Sequence, residues 1–287
     1  MRIDVRLGEP LWRSVGAARF TLDFAGESIS LAQVLDRLRV DYPAFAAAFC
    51  GDGLGHAWPY RLFVNARHVV DDQQRLVDGD RLAIFLPAVG GSGAGQPLPR
   101  RFYAQPTLTV ARALLGQRLV RSLDGRRLSG RVIEVEAYVG EDDLASHAAR
   151  GRTPRNRAMY SQPGLAYVYF IYGMYFCLNV VTEADGYPAA VLIRGLEPLE
   201  GVEEMTRRRA GRPRLVLTDG PGKLCQALAI DRVLDGHDLT VGVDLWLEAG
   251  ASLPDEHVLA TPRIGVTGDS LARTRPWRFI DRQAVRK

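Results

Sequence analysis

The sequence predicts an α+β protein made of two units, and three observations carry that prediction. A run of small residues, Gly90-Gly91-Ser92-Gly93-Ala94-Gly95-Gln96-Pro97, separates two stretches of regular patterning, as a flexible linker does. Short alternating apolar stretches, the mark of strands, are interleaved with helical patterns on both sides of it. Residues 158–182 hold no charged side chain, which length alone would allow as a membrane span. Their Pro163, Gly164, Gly173 and concentrated tyrosines instead predict two strands meeting at a turn. The expected boundaries are a first unit over 1–91, a linker over 92–97 and a second unit over 98–287.

In chain order, Arg2 to Leu7 alternates as a strand, and Ala18 to Phe24 is its hairpin partner. Ser30 caps a helix whose apolar positions are Leu31, Val34, Leu35 and Leu38. Strands follow at Tyr60–Asn65 and Arg81–Leu86, the latter after the turn Asp78-Gly79-Asp80. Past the linker, Thr107–Leu115 is a helix closed by Gly116. Gln117–Arg121 and Leu128–Tyr138 are strands around the turn Asp124-Gly125. The tyrosine-rich hairpin, a strand over Ala189–Arg194, a charged helix over Pro198–Arg209 and a loop-then-helix over Gly220–Ile230 complete the order.

Composition narrows the function classes. Hydrophobic residues make up 47% and charged residues 24% of the 287, which excludes a disordered chain. Residues 1–96 carry 10 Lys/Arg and 11 Asp/Glu, a net of −1; residues 97–287 carry 27 and 22 of the chain's 37 and 33, a net of +5. The second unit therefore suits a polyanion better than the first. Cys50, Cys177 and Cys225 lie far apart with no CxxC or Cys/His spacing, so neither a metal module nor a disulfide scaffold is expected, and no cofactor is implied. The opening decapeptide carries charges where a signal peptide needs an apolar stretch, so a cytoplasmic, nucleoid-associated location is expected.

Several residue groups carry chemistry. Glu134 and Glu136 share one face of a strand, since side chains alternate with period two. A buried strand tolerates such a carboxylate only when it is paired or working. His147 stands alone and reads as structural without further context. Five of the ten tyrosines, Tyr160, Tyr167, Tyr169, Tyr172 and Tyr175, crowd the uncharged stretch. They read as the aromatic core of a sheet or as stacking faces for nucleobases, worth roughly 1–3 kcal/mol per base. Arg155 and Arg157, in Thr153-Pro154-Arg155-Asn156-Arg157, are solvated or clasp phosphate. Gly220-Pro221-Gly222-Lys223 opens a helix where free N–H groups and a lysine suit phosphate, though it lacks a full Walker A pattern. Arg207, Arg208, Arg209, Arg212 and Arg214 read as a solvated helix end or a DNA contact.

Taken together, the motifs from about Leu98 onward resemble the alkyladenine (3-methyladenine) DNA glycosylase family. GluValGluAlaTyr (134–138), SerHis (146–147), ArgThrProArgAsnArg (152–157), TyrValTyrPheIleTyrGlyMetTyrPheCysLeuAsn (167–179), LeuIleArgGlyLeuGluProLeuGlu (192–200) and GlyProGlyLysLeuCysGlnAlaLeu (220–228) occur in the family's order and spacing. The resemblance implies a mixed α/β domain with an antiparallel sheet and a protruding DNA-binding β-hairpin. It implies that Glu136 activates a water that Arg194 helps to fix. Tyr138, His147 and Tyr169 match the pocket that sandwiches a flipped base, and Asn179 matches the residue that screens out guanine. Tyr172 matches the side chain that fills the gap left in the stack, with Met174 and Tyr175 beside it on the DNA surface. Lys223 matches a lysine near phosphate, a role given also to Arg155 and Arg157. The implied partner is double-stranded DNA with damaged purines, and a monomer is expected.

The first unit resembles the ubiquitin-like β-grasp fold, and its ending, Asp80 to Gly91, is similar to small sulfur carriers that finish at a diglycine. Here the chain continues past Gly91, so a retained β-grasp module, open to a protein partner, is the plain expectation. The alternative is a sulfur-carrier or modifier protein fused to a non-catalytic DNA-damage-binding module. Only Lys223 and Lys287 are lysines, so a water nucleophile is expected, with no strand cleavage through an enzyme amine.

Overall fold

The computed structural model describes residues 1–8, 11–49, 60–65, 67–69, 72–85 and 95–284. The diglycine, the first half of the expected linker (92–94) and Cys50 lie outside the described residues. The chain divides into two compact units, Met1–Ala94 and Gly95–Lys287.

The first unit runs β1 (Arg2–Leu7), α1 (Leu11–Val15), β2 (Arg19–Asp23), β3 (Ser28–Ser30), α2 (Leu31–Asp41), α3 (Pro43–Phe49), β4 (Arg61–Val64), β5 (Arg67–Val69), β6 (Arg75–Val77) and β7 (Arg81–Phe85). Its main sheet has the order β2-β1-β7-β4-β5, with β1 and β7 parallel and the other pairs antiparallel. Leu31, Val34, Leu35 and Leu38 of α2 are buried in one core with Ile3, Val5, Leu82 and Ile84 of the sheet. This is a β-grasp arrangement. Ser30 caps α2 in a reciprocal capping box with Gln33, a feature worth about 1 kcal/mol. β1 and β2 pair in the expected antiparallel sense, but the connection contains the short helix α1.

The second unit runs α4 (Arg100–Tyr103), α5 (Thr107–Leu114), β8 (Arg118–Leu123), β9 (Arg126–Val139), β10 (Ala166–Ile171), β11 (Tyr175–Val181), β12 (Ala189–Glu200), α6 (Val202–Arg208), α7 (Pro221–Ala227), β13 (Leu245–Glu248), β14 (Val258–Thr261), α8 (Ser270–Thr274) and β15 (Arg278–Asp281). One antiparallel sheet has the order β10-β11-β12-β9-β15-β14, and β8 joins β9 to β13. The long β9 makes this possible: its first half pairs with β8 and its second half with β15.

Alternation sorts the side chains of β9 to β12 onto two faces. Val135, Ala137, Val168, Leu178, Val180, Val191 and Ile193 turn inward and join Val110 and Leu114 of α5 and Leu224 of α7 in the main core. Each of these Val, Leu and Ile side chains contributes about 1.5–3 kcal/mol by leaving water, and Ala137 less. The opposite face carries Glu134, Glu136, Tyr138, Tyr167, Tyr169 and Asn179. The charged helix expected over Pro198–Arg209 is shorter than predicted. Pro198 to Glu200 continue β12, and Gly201, at φ 70°, turns the chain into α6.

Candidate active site

The strand register lines up Tyr167, Asn179, Leu192 and Glu136 across β10, β11, β12 and β9. Opposed residues share a face, so Tyr138, Tyr169 and Asn179 converge by strand register alone, while His147 is brought to them by the 3-10 turn His147–Arg150 that follows β9. Tyr169 and Cys177 form the next pair on one side, and Tyr138 and Ala190 the next on the other.

Glu136 is fully buried. Its Oε2 accepts from the Tyr138 hydroxyl at 2.9 Å and from Arg194 Nη1 at 3.1 Å. Its Oε1 accepts from the backbone N–H of Ile264 at 2.7 Å. A carboxylate offers about four acceptor positions, and these three donors leave one for a further proton donor such as water.

Arg194 reaches both carboxylates of β9, with Nε at 2.9 Å from Glu134 and Nη1 on Glu136. A register shift between Ile193 and Gly195 puts an extra residue into β12 at this point. Bulges of this kind re-aim a side chain, and here the re-aimed side chain is Arg194. Burial works against its charge, but Glu136 and then Glu134 outweigh it and raise its pKa. Arg278 also meets Glu134, at 2.7 Å.

The aromatic residues remain neutral donors. Burial first, then the Glu136 carboxylate, holds the Tyr138 phenol well above its ordinary range. Burial does the same for Tyr169. His147 Nδ1 lies 2.8 Å from the Tyr167 hydroxyl, and its ring meets that of Tyr169 edge-on at 4.5 Å. Burial, then Arg155, lowers the His147 pKa and favours the uncharged ring. Asn179 is buried and donates from Nδ2 to the Tyr167 carbonyl at 3.1 Å.

The hairpin ends in exposed apolar side chains: Tyr172 is 78% exposed, Met174 65% and Tyr175 40%. Tyr172 (φ 54°) and Gly173 (φ 69°) both sit in the left-handed region, and Met174 N–H donates to the Ile171 carbonyl across the turn. Glycine belongs there; tyrosine does not, at about 1–2 kcal/mol. A tyrosine strained in this way and 78% exposed gains little from packing within its own chain.

The basic candidates separate. Arg155 donates from Nη2 to the Phe170 carbonyl at 3.0 Å and lies over the Tyr169 ring, so it braces β10. Arg157 is exposed. Lys223 Nζ is engaged by Asp219 at 2.9 Å. The motif around it also packs on the hairpin, since a Cβ on Gly222 would come within 2.9 Å of the Tyr175 ring. In the arginine cluster, Arg207 and Arg208 pair with Glu204, Arg209 with Gln226, and Arg214 with the Pro198 carbonyl.

The model of the methylpurine-DNA glycosylase (MPG) family matches residues 101–284. The chain belongs to that family. A Methanocella arvoryzae relative, provisionally named a 3-methyladenine DNA glycosylase, is 53% identical over 188 residues, covering 65% of this chain and 93% of its own. The human DNA-3-methyladenine glycosylase is 48% identical over 193 residues, 63% of this chain and 64% of its own. The N-terminal unit aligns with the crystal structure of SAMP1 from Haloferax volcanii at 23% identity and a TM-score of 0.28, covering 32% of this chain and all of that one.

Sequence patterns left out several residues of this glycosylase-family site. Ile264 supplies only its backbone N–H, which no side-chain motif records. Asn156 was grouped with a basic loop, but it is buried and closes that loop, donating to the His147 and Gly151 carbonyls at 2.9 and 3.0 Å. Its Oδ1 accepts from Thr153 N–H at 2.7 Å. The sequence marks Tyr167 as one of five clustered tyrosines but not the contact of its hydroxyl with His147 Nδ1.

Proposed function

We propose that the Gly95–Lys287 unit is a DNA glycosylase acting on alkylated or deaminated purines in duplex DNA. Family membership and the named activity of the relatives support this reading. The observation that carries it is Glu136, buried on the aromatic face of the sheet, held by Arg194, Tyr138 and Ile264 with one acceptor position left.

In this reading the damaged nucleotide swings out of the duplex, at a cost of a few kcal/mol. Tyr172 fills the gap and recovers part of the lost stacking. Tyr138, His147 and Tyr169 enclose the extruded base, and Asn179 opposes the exocyclic amino group of guanine. Glu136 takes a proton from a water held within the site, and Arg194 fixes that water. The water oxygen bonds to C1′ as the bond from C1′ to the purine breaks. The purine keeps the bonding electrons, so a cationic 3-alkylpurine leaves neutral, and a neutral deaminated purine takes up a proton from solvent as it leaves. The product is an abasic site in an uncut strand. Exposed Arg157 is assigned to the DNA backbone, Arg155 and Lys223 reach it only by giving up the Phe170 carbonyl and Asp219, and Met174 and Tyr175 are assigned to the groove surface. The enzyme works as a monomer on nucleoid DNA in the cytoplasm. The β-grasp unit, with its net −1, is better matched to a protein partner than to phosphate. The non-catalytic alternative is not favoured, because Glu136 and Arg194 are both present and in contact.

Duplexes carrying hypoxanthine or 3-methyladenine test the reading. The full chain and residues 97–287 should both release the base, and Glu136→Gln should bind the duplex and release none. No release by the wild type sinks the proposal. A covalent complex trapped by borohydride would replace the water with an amine and overturn the hydrolytic step.

A further inference from the structure

Arg263 is held by four hydrogen bonds and two aromatic rings, yet belongs to none of the motifs. Its side chain and that of Asp143 are both 0% exposed, joined in a two-pronged ion pair at 2.6 and 2.8 Å. Nη1 also donates to the Ala137 carbonyl and Nη2 to the Ala272 carbonyl, each at 2.9 Å. The guanidinium lies over the Tyr138 ring at 4.8 Å and over the Trp277 ring at 5.1 Å. Asp143 is fixed in turn by the N–H groups of Val139 at 3.3 Å and Ala145 at 3.2 Å.

Two of the groups that Arg263 touches or adjoins are the two neutral donors of Glu136. The Tyr138 hydroxyl holds Oε2, and the peptide that follows Arg263 supplies the Ile264 N–H on Oε1. A buried ion pair is a poor means of stabilising a fold, because well-packed apolar side chains do as well or better. What a forked guanidinium supplies is direction. We infer that Arg263, with Asp143, is a positioning residue for Glu136, holding the Tyr138 ring and the Ile264 amide at fixed angles to the carboxylate. The inference rests on the glycosylase reading of Glu136.

A double-mutant cycle tests it. Arg263→Lys keeps the charge but loses the fork and the flat stacking surface. Single-turnover base release, counted per folded molecule by circular dichroism, should fall about 10- to 100-fold, as misplacement near 1 Å does. Affinity for an abasic duplex should change far less than the rate. Tyr138→Phe removes the hydroxyl through which part of the effect runs. The double variant should therefore be slowed by less than the product of the two single losses. Losses that multiply, or a rate that falls only as far as the affinity does, overturn the inference. If Arg263→Lys does not fold, Asp143→Asn, which keeps the guanidinium and removes its counter-charge, goes through the same cycle with the same expectation. A wild type that releases no base defeats the glycosylase reading and this inference with it. Wild-type turnover with multiplying losses defeats this inference alone.

Discussion

The Tyr138 hydroxyl donates to Glu136 Oε2 at 2.9 Å, although the two side chains leave the same strand with one residue between them. They share a face by alternation, and the raised pKa of the phenol keeps its proton in place as the donor. The carboxylate is thereby held before any substrate arrives. Preorganised contacts of this kind contribute to rate because no reorientation is needed during reaction.

Tyr138→Phe keeps the ring and deletes the donor. Hydrogen bonds to a charged group are worth about 1.5–3 kcal/mol. At about 1.4 kcal/mol per decade, single-turnover base release should slow by roughly 10- to 150-fold. Binding of damaged duplex should hardly change, since the stacking face remains. An unchanged rate would show that the hydroxyl does not help Glu136.

Much of this site was legible in the sequence. Glu134 and Glu136 follow from strand alternation, Tyr138, His147, Tyr169, Asn179 and Arg194 follow from the family resemblance, and the turn at Gly173 follows from one glycine between apolar strands. Register was not legible. Nothing local says that Tyr167 and Asn179 lie on one line with Glu136, because strand pairing is set across loops of different length. Nor does any motif place Arg263 beside Asp143, since that contact joins positions 120 apart. The Arg194 bulge was hidden for a different reason: an extra residue in one strand shows only against its partner. In the first unit, α1 and α3 are too short for a helical period to stand out, whereas α2 was marked by its cap and its apolar spacing.

Tyr172 sets stability against function. Its φ of 54° disfavours tyrosine, and its ring is 78% exposed, so the fold gains little from it. Asparagine tolerates that backbone region. Tyr172→Asn should leave the protein as stable as the wild type or more so, by up to about 1 kcal/mol in chemical denaturation. It should weaken binding to damaged duplex by the lost stacking, about 1–3 kcal/mol or 5- to 150-fold. A destabilised variant with unchanged affinity would return Tyr172 to a structural role.

His147 gives a pH prediction with a definite sign. Its pKa is lowered in the folded chain, chiefly by burial, so the unfolded chain binds its proton more readily. Stability should therefore decrease as pH falls below the unfolded value of about 6.5, until the folded pKa is passed. His237, buried and lowered for the same reason, acts in the same direction. His147→Asn should flatten part of the decline in unfolding free energy between neutral and mildly acid pH, and leave the part due to His237. An identical pH dependence in variant and wild type would contradict a lowered pKa for the half-exposed His147 ring.

The cations around the hairpin should differ in their effect on salt dependence. Each phosphate neutralised adds about −0.9 to the slope of log affinity against log salt. Arg157 is exposed and belongs to no ion pair among the described residues, so it is available to a phosphate. Arg157→Ala should make the slope shallower by about 0.9 and weaken binding to damaged and undamaged duplex alike. Lys223 already faces Asp219 at 2.9 Å, so phosphate binding there must first displace a carboxylate. Lys223→Ala should accordingly change the slope less than Arg157→Ala does. Asp219→Ala, which frees the ammonium, should tighten binding at low salt and steepen the slope. Equal slope changes in the Arg157 and Lys223 variants would mean that DNA opens the Asp219 pair on binding.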